Sequence, residues 1–169
     1  RNAGRSRREG IEISAAMPLG AHWQFDLAYT RLHAQFRDGF AICAAAGCTV
    51  PWAVVRAGSR IPGIARDQFA GRLQWRGDAW TASAQVLALG PVTVNDPGSE
   101  TAAGHALLNL EASRDWRLAH HRLHAFARIG NVLDRRYIGS VIVNEGNGRY
   151  YEPGPDRTWL VGLRWDWNG

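Results

Sequence analysis

Apolar and polar residues alternate along much of this chain. In the stretch TWLVGLRWDW at 158–167, one parity is apolar: Trp159, Val161, Leu163, Trp165 and Trp167. Because successive side chains of a β-strand point to opposite faces, a period of two predicts a strand. The same period predicts seven strands, at about 7–17, 22–37, 66–76, 79–89, 104–114, 121–131 and 157–167. No segment has a long helical pattern, so the predicted fold class is all-β.

The connections between these strands alternate in length. Short ones, PLGAH, RGDA and DWRLAH, follow the first, third and fifth strands. Long ones rich in Gly, Pro and Asn, at about 38–65, 90–103 and 132–156, follow the second, fourth and sixth. Short periplasmic turns and long extracellular loops are typical of outer-membrane barrels. The pattern therefore predicts an antiparallel transmembrane β-barrel segment of about seven meander strands.

The aromatic residues test this topology independently. Six tryptophans fall near the short-turn end, although they are far apart in sequence: Trp23, Trp75, Trp80, Trp116, Trp165 and Trp167. Phe69, Tyr137 and Trp159 fall near the opposite end. Aromatic rings with a polar tip favour the headgroup level of a membrane. The rise from Trp159 to Trp167 is ~20 Å along the membrane normal after strand tilt, close to the apolar band of a barrel.

The opposite parity of the strands is charged. Its members include Glu12, Asp26, Arg72, Arg76, Glu111, Arg128, Arg164 and Asp166. Burying unpaired charges in a packed core is costly, whereas a wet or protein-filled lumen avoids that cost. A soluble antiparallel sheet with one solvated face would show the same alternation and is kept as an alternative.

Composition allows either a soluble or a membrane protein, since the 169 residues are 46% hydrophobic and 21% charged. No stretch approaches the roughly 18 apolar residues of a spanning helix. The net charge of +5 comes from scattered basic residues, so we expect no nucleic-acid partner. The sequence starts at Arg1 without a signal peptide, so any targeting segment is expected to lie outside it.

Few residues suggest reactive chemistry. Cys43 and Cys48 lie in the longest loop and predict a local disulfide, with two free thiols as the alternative. The histidines form no convincing metal-ligand set, and we expect no metal site and no cofactor. Ser83 and His124 lie on different strands without a signature for a nearby acid, so no catalytic residues and no enzyme activity are expected.

Four motifs, in this order along the chain, resemble the TonB-dependent receptors of the Gram-negative outer membrane. They are NAGRSRREGIEIS from Asn2, GSRIPGIARDQF at 58–69, NVLDRRYIGS at 131–140 and RYYEPGPDRTWLVGLRW at 149–165. The resemblance implies the C-terminal portion of a plugged barrel of about 22 strands. The plug domain and signal peptide have no counterpart in the sequence, so we expect them, with the N-terminal strands, in a longer protein.

The resemblance also implies a function. In such receptors the outer loops and the plug capture a scarce chelate, and an inner-membrane TonB complex acts through the plug. We therefore expect a transport segment in contact with outer-membrane lipid, for a small-molecule metal chelate such as an iron–siderophore. The first alternative is a self-contained small barrel with a structural or passive-pore role, and the second is a soluble all-β interaction module.

The family-like motifs supply the candidate site residues. Asn131, Asp134 and Tyr137 match the recurrent motif, and Asn and Asp also suit turns, which is the favoured interpretation. Pro153 and Arg157 belong to the closing segment, where proline stiffens the returning loop. The candidates for holding an anionic, aromatic chelate by charge and stacking are Arg149, Tyr150 and Tyr151, with simple loop packing as the alternative.

Overall fold

A computed structural model describes residues 4–167, so Asn2 of the first motif lies outside the described residues. These described residues form thirteen strands: β1 (Ser6–Leu19), β2 (Trp23–Phe36), β3 (Phe40–Ile42), β4 (Ala53–Val55), β5 (Asp67–Arg76), β6 (Trp80–Leu89), β7 (Val92–Thr93), β8 (Thr101–Ala102), β9 (His105–Leu118), β10 (His121–Gly130), β11 (Ile138–Val141), β12 (Tyr151–Pro153) and β13 (Thr158–Trp167). Within 4–167, no helix is long and apolar enough to cross a membrane.

Seven long strands form one antiparallel sheet in the order β1-β2-β5-β6-β9-β10-β13. Each long strand pairs with its neighbour in the chain, which confirms the predicted meander. The three short connections, 20–22, 77–79 and 119–120, lie at one end of the sheet. The long loops, 37–66, 90–104 and 131–157, lie at the other.

Two details of the predicted strands were wrong. The connection DWRLAH is mostly strand, because β9 continues to Leu118 and pairs Trp116 with Leu123 and Asp115 with His124. The long loops also contain the hairpins β3–β4, β7–β8 and β11–β12. These six strands have two to four residues each, too few for a period of two to identify them.

The register aligns the apolar parity across the whole sheet. On β13 this face is open, with Trp159 68%, Val161 78% and Trp165 65% exposed. The described chain places no second sheet against it, since the other sheets are the three loop hairpins. A sandwich burying Trp75 and Trp165 in a shared core is therefore excluded.

The tryptophan belt is present at the short-turn end. Trp23 pairs directly with Trp75, while Trp165 and Trp167 flank the ring of His121 with centroids 5.4 and 5.9 Å away. The Arg114 guanidinium lies over the rings of both Trp80 and Trp116. The six tryptophans thus lie along one rim of the sheet. Their role as a membrane girdle, and that of Phe69, Tyr137 and Trp159 at the opposite end, stays a prediction.

The largest cluster of buried hydrophobic residues lies among the long loops, while Ala34 and Phe36 are buried at the loop end of β2. The cluster consists of Ala65, Val92, Val94 and Ala102. Leu89, Ile138, Val141 and Tyr150 pack against it. A sheet that leaves its apolar face uncovered while its loops are packed is suited to a lipid environment, where the bilayer covers that face.

Candidate functional site

The three long loops pack into one body, which we call the loop cap (residues 37–66, 90–104 and 131–157). The amide of Gly63 donates to the carbonyl of Thr93 at 2.9 Å, which joins the first loop to the second. The amide of Asn144 donates to the carbonyl of Val94 at 2.9 Å, which joins the third loop to the second. The first and third loops meet where the Ala46 amide donates to the Gly146 carbonyl at 3.2 Å.

A cleft of about 470 Å³ lies between these loops. Its lining combines apolar, aromatic and amide side chains with one carboxylate: Ile42, Cys43, Ala44, Trp52, Ala53, Val54, Asn95, Pro97, Ser99, Asn144, Glu145 and Tyr150. Among these lining residues of the described chain, none is Arg or Lys. The cleft offers ring faces for stacking and amide groups for hydrogen bonds.

The three predicted ligand residues do not converge. Tyr150 lines the cleft and packs against the loop core. Tyr151 instead donates a hydrogen bond from its hydroxyl to Glu100 Oε2 at 3.2 Å. The pKa of Tyr151 is raised, mainly by desolvation and secondly by this hydrogen bond. The Arg149 side chain is exposed, while its backbone amide donates to Glu145 Oε2 at 2.8 Å.

Glu145 organises the rim of the cleft. Its carboxylate accepts the backbone amides of Asn147 and Arg149, both at 2.8 Å, and the Asn147 side-chain amide at 2.9 Å. The Arg149 amide is the largest contribution that lowers the pKa of Glu145. The carboxylate therefore stays ionised at neutral pH and fixes the turn around it.

Sequence reasoning missed most of the cleft. Trp52, Asn95, Asn144 and Glu145 lie in three loops without periodicity. One local signal was available, because Asn144 begins the turn-rich stretch NEGNG and adopts a positive φ of 55°. A tryptophan placed in a loop, away from both predicted aromatic girdles, was a second signal.

Cys43 and Cys48 form a disulfide in the structure, with their Cα atoms 5.4 Å apart. Cys43 lines the cleft, and Ala46 inside the ring is the residue that bonds to Gly146. The ring therefore lies at the contact between the first and third loops. Whether the bond is closed in the natural protein stays a prediction.

Asn131 is the best-connected residue of the family-like motif. It is 4% exposed and has a positive φ of 49°. Its side-chain amide donates to the carbonyl of Arg135 at 2.9 Å, and its Oδ1 accepts the Arg135 amide at 2.9 Å. Its own backbone amide donates to Asn109 Oδ1 at 3.0 Å. These bonds stabilise the turn that leaves β10.

The rest of that motif ties both ends of the third loop together. Asp134 Oδ1 accepts the backbone amide of Arg157 at 2.9 Å, and Arg157 Nε donates to the carbonyl of Val132 at 2.9 Å. The Gly154 amide, directly after Pro153 of β12, donates to the Tyr137 carbonyl at 2.9 Å. The structure thus brings the predicted motif residues into one cluster, where they hold the loop.

A second, polar cavity of about 340 Å³ lies on the charged face of the sheet. Its main ion pair joins Arg128 to Glu111 at 2.6 Å. Ser83 also lines it, whereas His124 lies elsewhere and contacts Asp115 at 3.3 Å. Ser83 is in register with Glu111 and hence with Arg128, four residues from His124, or ~13 Å along the strand. The structure therefore does not bring Ser83 and His124 together.

Within the described part of the chain, no group of three or more His, Cys, Asp or Glu side chains is arranged to hold a metal ion.

The chain matches a family model described as TonB dependent receptor-like, beta-barrel, over residues 1–132. Its fold is similar to the siderophore receptor PiuA from Acinetobacter baumannii, with a TM-score of 0.77, 14% identity, and coverage of 94% of this chain and 21% of that one. It is also similar to BauA, the ferric preacinetobactin receptor from the same species, with a TM-score of 0.75, 17% identity, and coverage of 95% and 22%.

A third similar structure is the ferric citrate transporter FecA in its unliganded form, with a TM-score of 0.77 and 15% identity. The similarity covers 95% of this chain and 24% of that one. The chain thus spans between a fifth and a quarter of the length of these three structures.

Proposed function

This chain belongs to the TonB-dependent receptor family, and from that premise we propose that it is the C-terminal portion of an outer-membrane barrel that takes up a metal chelate. TonB-dependent receptors are outer-membrane β-barrel proteins of Gram-negative bacteria that act in transport. The proposed cargo is an iron–siderophore. The proposed location is the outer membrane, with the loop cap facing outward.

The fold neighbours support the choice of cargo class. The three are a siderophore receptor, a ferric preacinetobactin receptor and a ferric citrate transporter. All three concern siderophores or ferric ligands. Their identities of 14–17% leave the individual ligand of this chain open.

The observation that carries the proposal is the cleft of about 470 Å³ in the loop cap. It lies at the long-loop end, opposite the tryptophan belt, where a ligand arriving from outside would meet the barrel first. Trp52 and Tyr150 offer aromatic surface to a chelate, and Asn95 and Asn144 offer amide hydrogen bonds. In this arrangement the exposed Arg149 attracts an anionic chelate to the rim by its positive charge, without contacting the bound chelate.

The edges of the sheet support a larger barrel over a self-contained one. Both β1 and β13 pair on one side only in the described chain. Unpaired strand edges are not tolerated in lipid, so each edge requires a further strand. We propose that the N-terminal strands of the full receptor supply both, and that the plug domain fills the lumen and meets TonB.

Uptake of radiolabelled ferric siderophores by cells expressing the full receptor tests this function. Candidate chelates are offered one by one to iron-starved cells whose own receptors have been deleted. We expect saturable uptake of at least one chelate, dependent on TonB. Absence of TonB-dependent uptake for every siderophore class, with the receptor folded in the membrane, would contradict the proposal.

Two neighbouring tyrosines provide a matched pair of variants. Tyr150→Ala removes a ring that lines the cleft, while Tyr151→Ala removes one that hydrogen-bonds to Glu100 instead. We expect Tyr150→Ala to weaken chelate binding by about 2- to 10-fold, the scale of one aromatic contact, and Tyr151→Ala to weaken it less. Equal binding by wild type and Tyr150→Ala would exclude the cleft as the ligand site.

A further inference from the structure

Arg114 occupies an unusual position for a charged residue. It lies on β9 in direct register with Trp80 of β6 and Ala125 of β10, on the apolar parity of the sheet. Its guanidinium carbon is 5.1 Å from the centroid of the Trp80 ring and 4.9 Å from that of Trp116. Arg114 therefore contacts two indoles of the belt, on the face proposed to meet lipid.

Within residues 4–167, no carboxylate forms a salt bridge with this cation. Asp115, the next residue, belongs to the opposite face and pairs with Arg122 at 3.2 Å and with His124 at 3.3 Å. In the described chain, the buried Arg114 Nε has no hydrogen-bond partner. A guanidinium has five N–H donors, so the terminal nitrogens of Arg114 remain available to an external acceptor. An anion at the headgroup level would neutralise this charge and accept hydrogen bonds from those terminal nitrogens.

We propose that Arg114, Trp80 and Trp116 form a binding site for the phosphate of a glycerophospholipid, in the leaflet on the short-turn side. Arginine matches phosphate geometry through two parallel N–H groups, and aromatic faces hold the guanidinium in place without removing its charge. The flanking indoles lie at the depth where the phosphate of a lipid resides. The site rests on the membrane orientation in the proposed function, but involves neither the loop cap nor the chelate.

A lipid fits this site better than a protein domain in the lumen does. Arg114 shares its parity with Ala112, Leu110 and Leu108, whereas the plug-facing parity carries Glu111, the partner of Arg128. An open apolar groove of about 500 Å³, lined by residues such as Trp75, Ala82 and Ala112, begins directly beside the site on the same face. That surface is suited to the acyl chains of the lipid whose phosphate Arg114 binds.

Native mass spectrometry of the full receptor tests the site. Delipidated receptor is titrated with phosphatidylglycerol, with phosphatidylethanolamine, or with diacylglycerol of the same chains, which lacks the phosphate. The variant is Arg114→Gln, and Arg114→Lys keeps the charge if the first variant folds poorly. The matched control is Arg117→Gln, which removes the same charge three residues further along β9, on the opposite face.

We expect both phospholipids to bind wild-type receptor and Arg117→Gln equally, and Arg114→Gln about tenfold more weakly, the scale of a charge-assisted hydrogen bond. Arg114→Lys should bind with intermediate affinity, and diacylglycerol should bind all variants alike. Equal phospholipid binding by wild type and Arg114→Gln would overturn the site, as would an equal loss in Arg117→Gln. Ferric-siderophore uptake by Arg114→Gln should stay at the wild-type level, so failure of the lipid site is distinguishable from failure of the transport proposal.

Discussion

The ring of Tyr137 occupies the space that a side chain on Gly154 would need, since a Cβ at position 154 would overlap the phenol ring. The backbones meet here too, because the Gly154 amide donates to the Tyr137 carbonyl at 2.9 Å. On its other side the Tyr137 ring packs against His105, with centroids 4.5 Å apart. Through these contacts Tyr137 joins both ends of the third loop to His105 at the start of β9.

We expect Gly154→Ala to destabilise the folded receptor by about 1–3 kcal/mol, the usual cost of an added methyl in a packed site. The measurement is the temperature at which the heat-modifiable folded band is lost on gels. In a double-mutant cycle the cost should shrink when Tyr137 is replaced by Ala, because the clash partner is gone. An equal cost in both backgrounds would show that the Tyr137 ring is not the obstacle.

Asn131→Ala should be among the more damaging single changes in the third loop. It leaves the Arg135 amide and carbonyl without their partner on the buried Asn131 side chain, and it requires an alanine to adopt a positive φ. We expect a loss of about 1–3 kcal/mol. Asn144→Ala is the matched comparison, since Asn144 has a similar φ of 55° but is exposed. Equal destabilisation by both variants would mean that burial of the Asn131 bonds contributes nothing.

Intact mass under non-reducing conditions tests the disulfide between Cys43 and Cys48. We expect a mass lower than that of the reduced protein by two hydrogen atoms, and no alkylation before reduction. The ring encloses four residues, so its entropic contribution should stay below the ~3 kcal/mol of a 15-residue loop. Opening it should loosen the contact between Ala46 and Gly146 and leave the sheet intact. Free thiols in protein from the outer membrane would refute the bond.

Acid should loosen the loop cap, because protonation of the Glu145 carboxylate weakens the hydrogen bonds that it accepts. Its pKa in the fold lies below its ordinary value of 4.5, so the ionised form is favoured by folding. The contribution is therefore full above that value and is lost as the pH falls through the lower folded-state pKa. We expect the amides of Asn147 and Arg149 to lose protection from hydrogen exchange in that window, after correction for the intrinsic rate.

Two variants separate Glu145 from general acid effects. Glu145→Gln should remove the pH dependence of this protection, because the group no longer titrates. Asp156→Asn, at an exposed acid of the same loop, should leave it unchanged. A pH dependence that persists in Glu145→Gln would assign the effect to another group.

Residues 1–169 expressed alone should fail to form a closed barrel. β1 and β13 are both edges of the sheet, and an odd number of strands puts the two chain ends on opposite sides of the membrane. We expect aggregation or misassembly of this segment, while the same residues fold within the full receptor. A heat-modifiable, protease-resistant monomer in outer membranes would favour the self-contained small barrel instead.

The seven long strands, the face on which each of their residues lies and the two ends of the sheet could all be predicted from the amino-acid sequence. Each follows from a local cause. A strand between lipid and a wet lumen must alternate, so Trp159, Val161 and Leu163 identify their face without any knowledge of their neighbours. Trp23 and Trp75 were both predicted to lie at the short-turn end, and they prove to be register partners there. The prediction failed where alternation continued into an expected turn, at Trp116.

Which loop residues contact one another became visible only in the folded chain. Trp52, Asn95 and Glu145 form one cleft because three loops fold onto a shared core, and no periodic pattern records that packing. The same holds for Arg114, whose contacts with both Trp80 and Trp116 depend on the register of β6 with β9. Contacts of this kind join residues far apart in sequence, so their chemistry emerges only when the chain is folded.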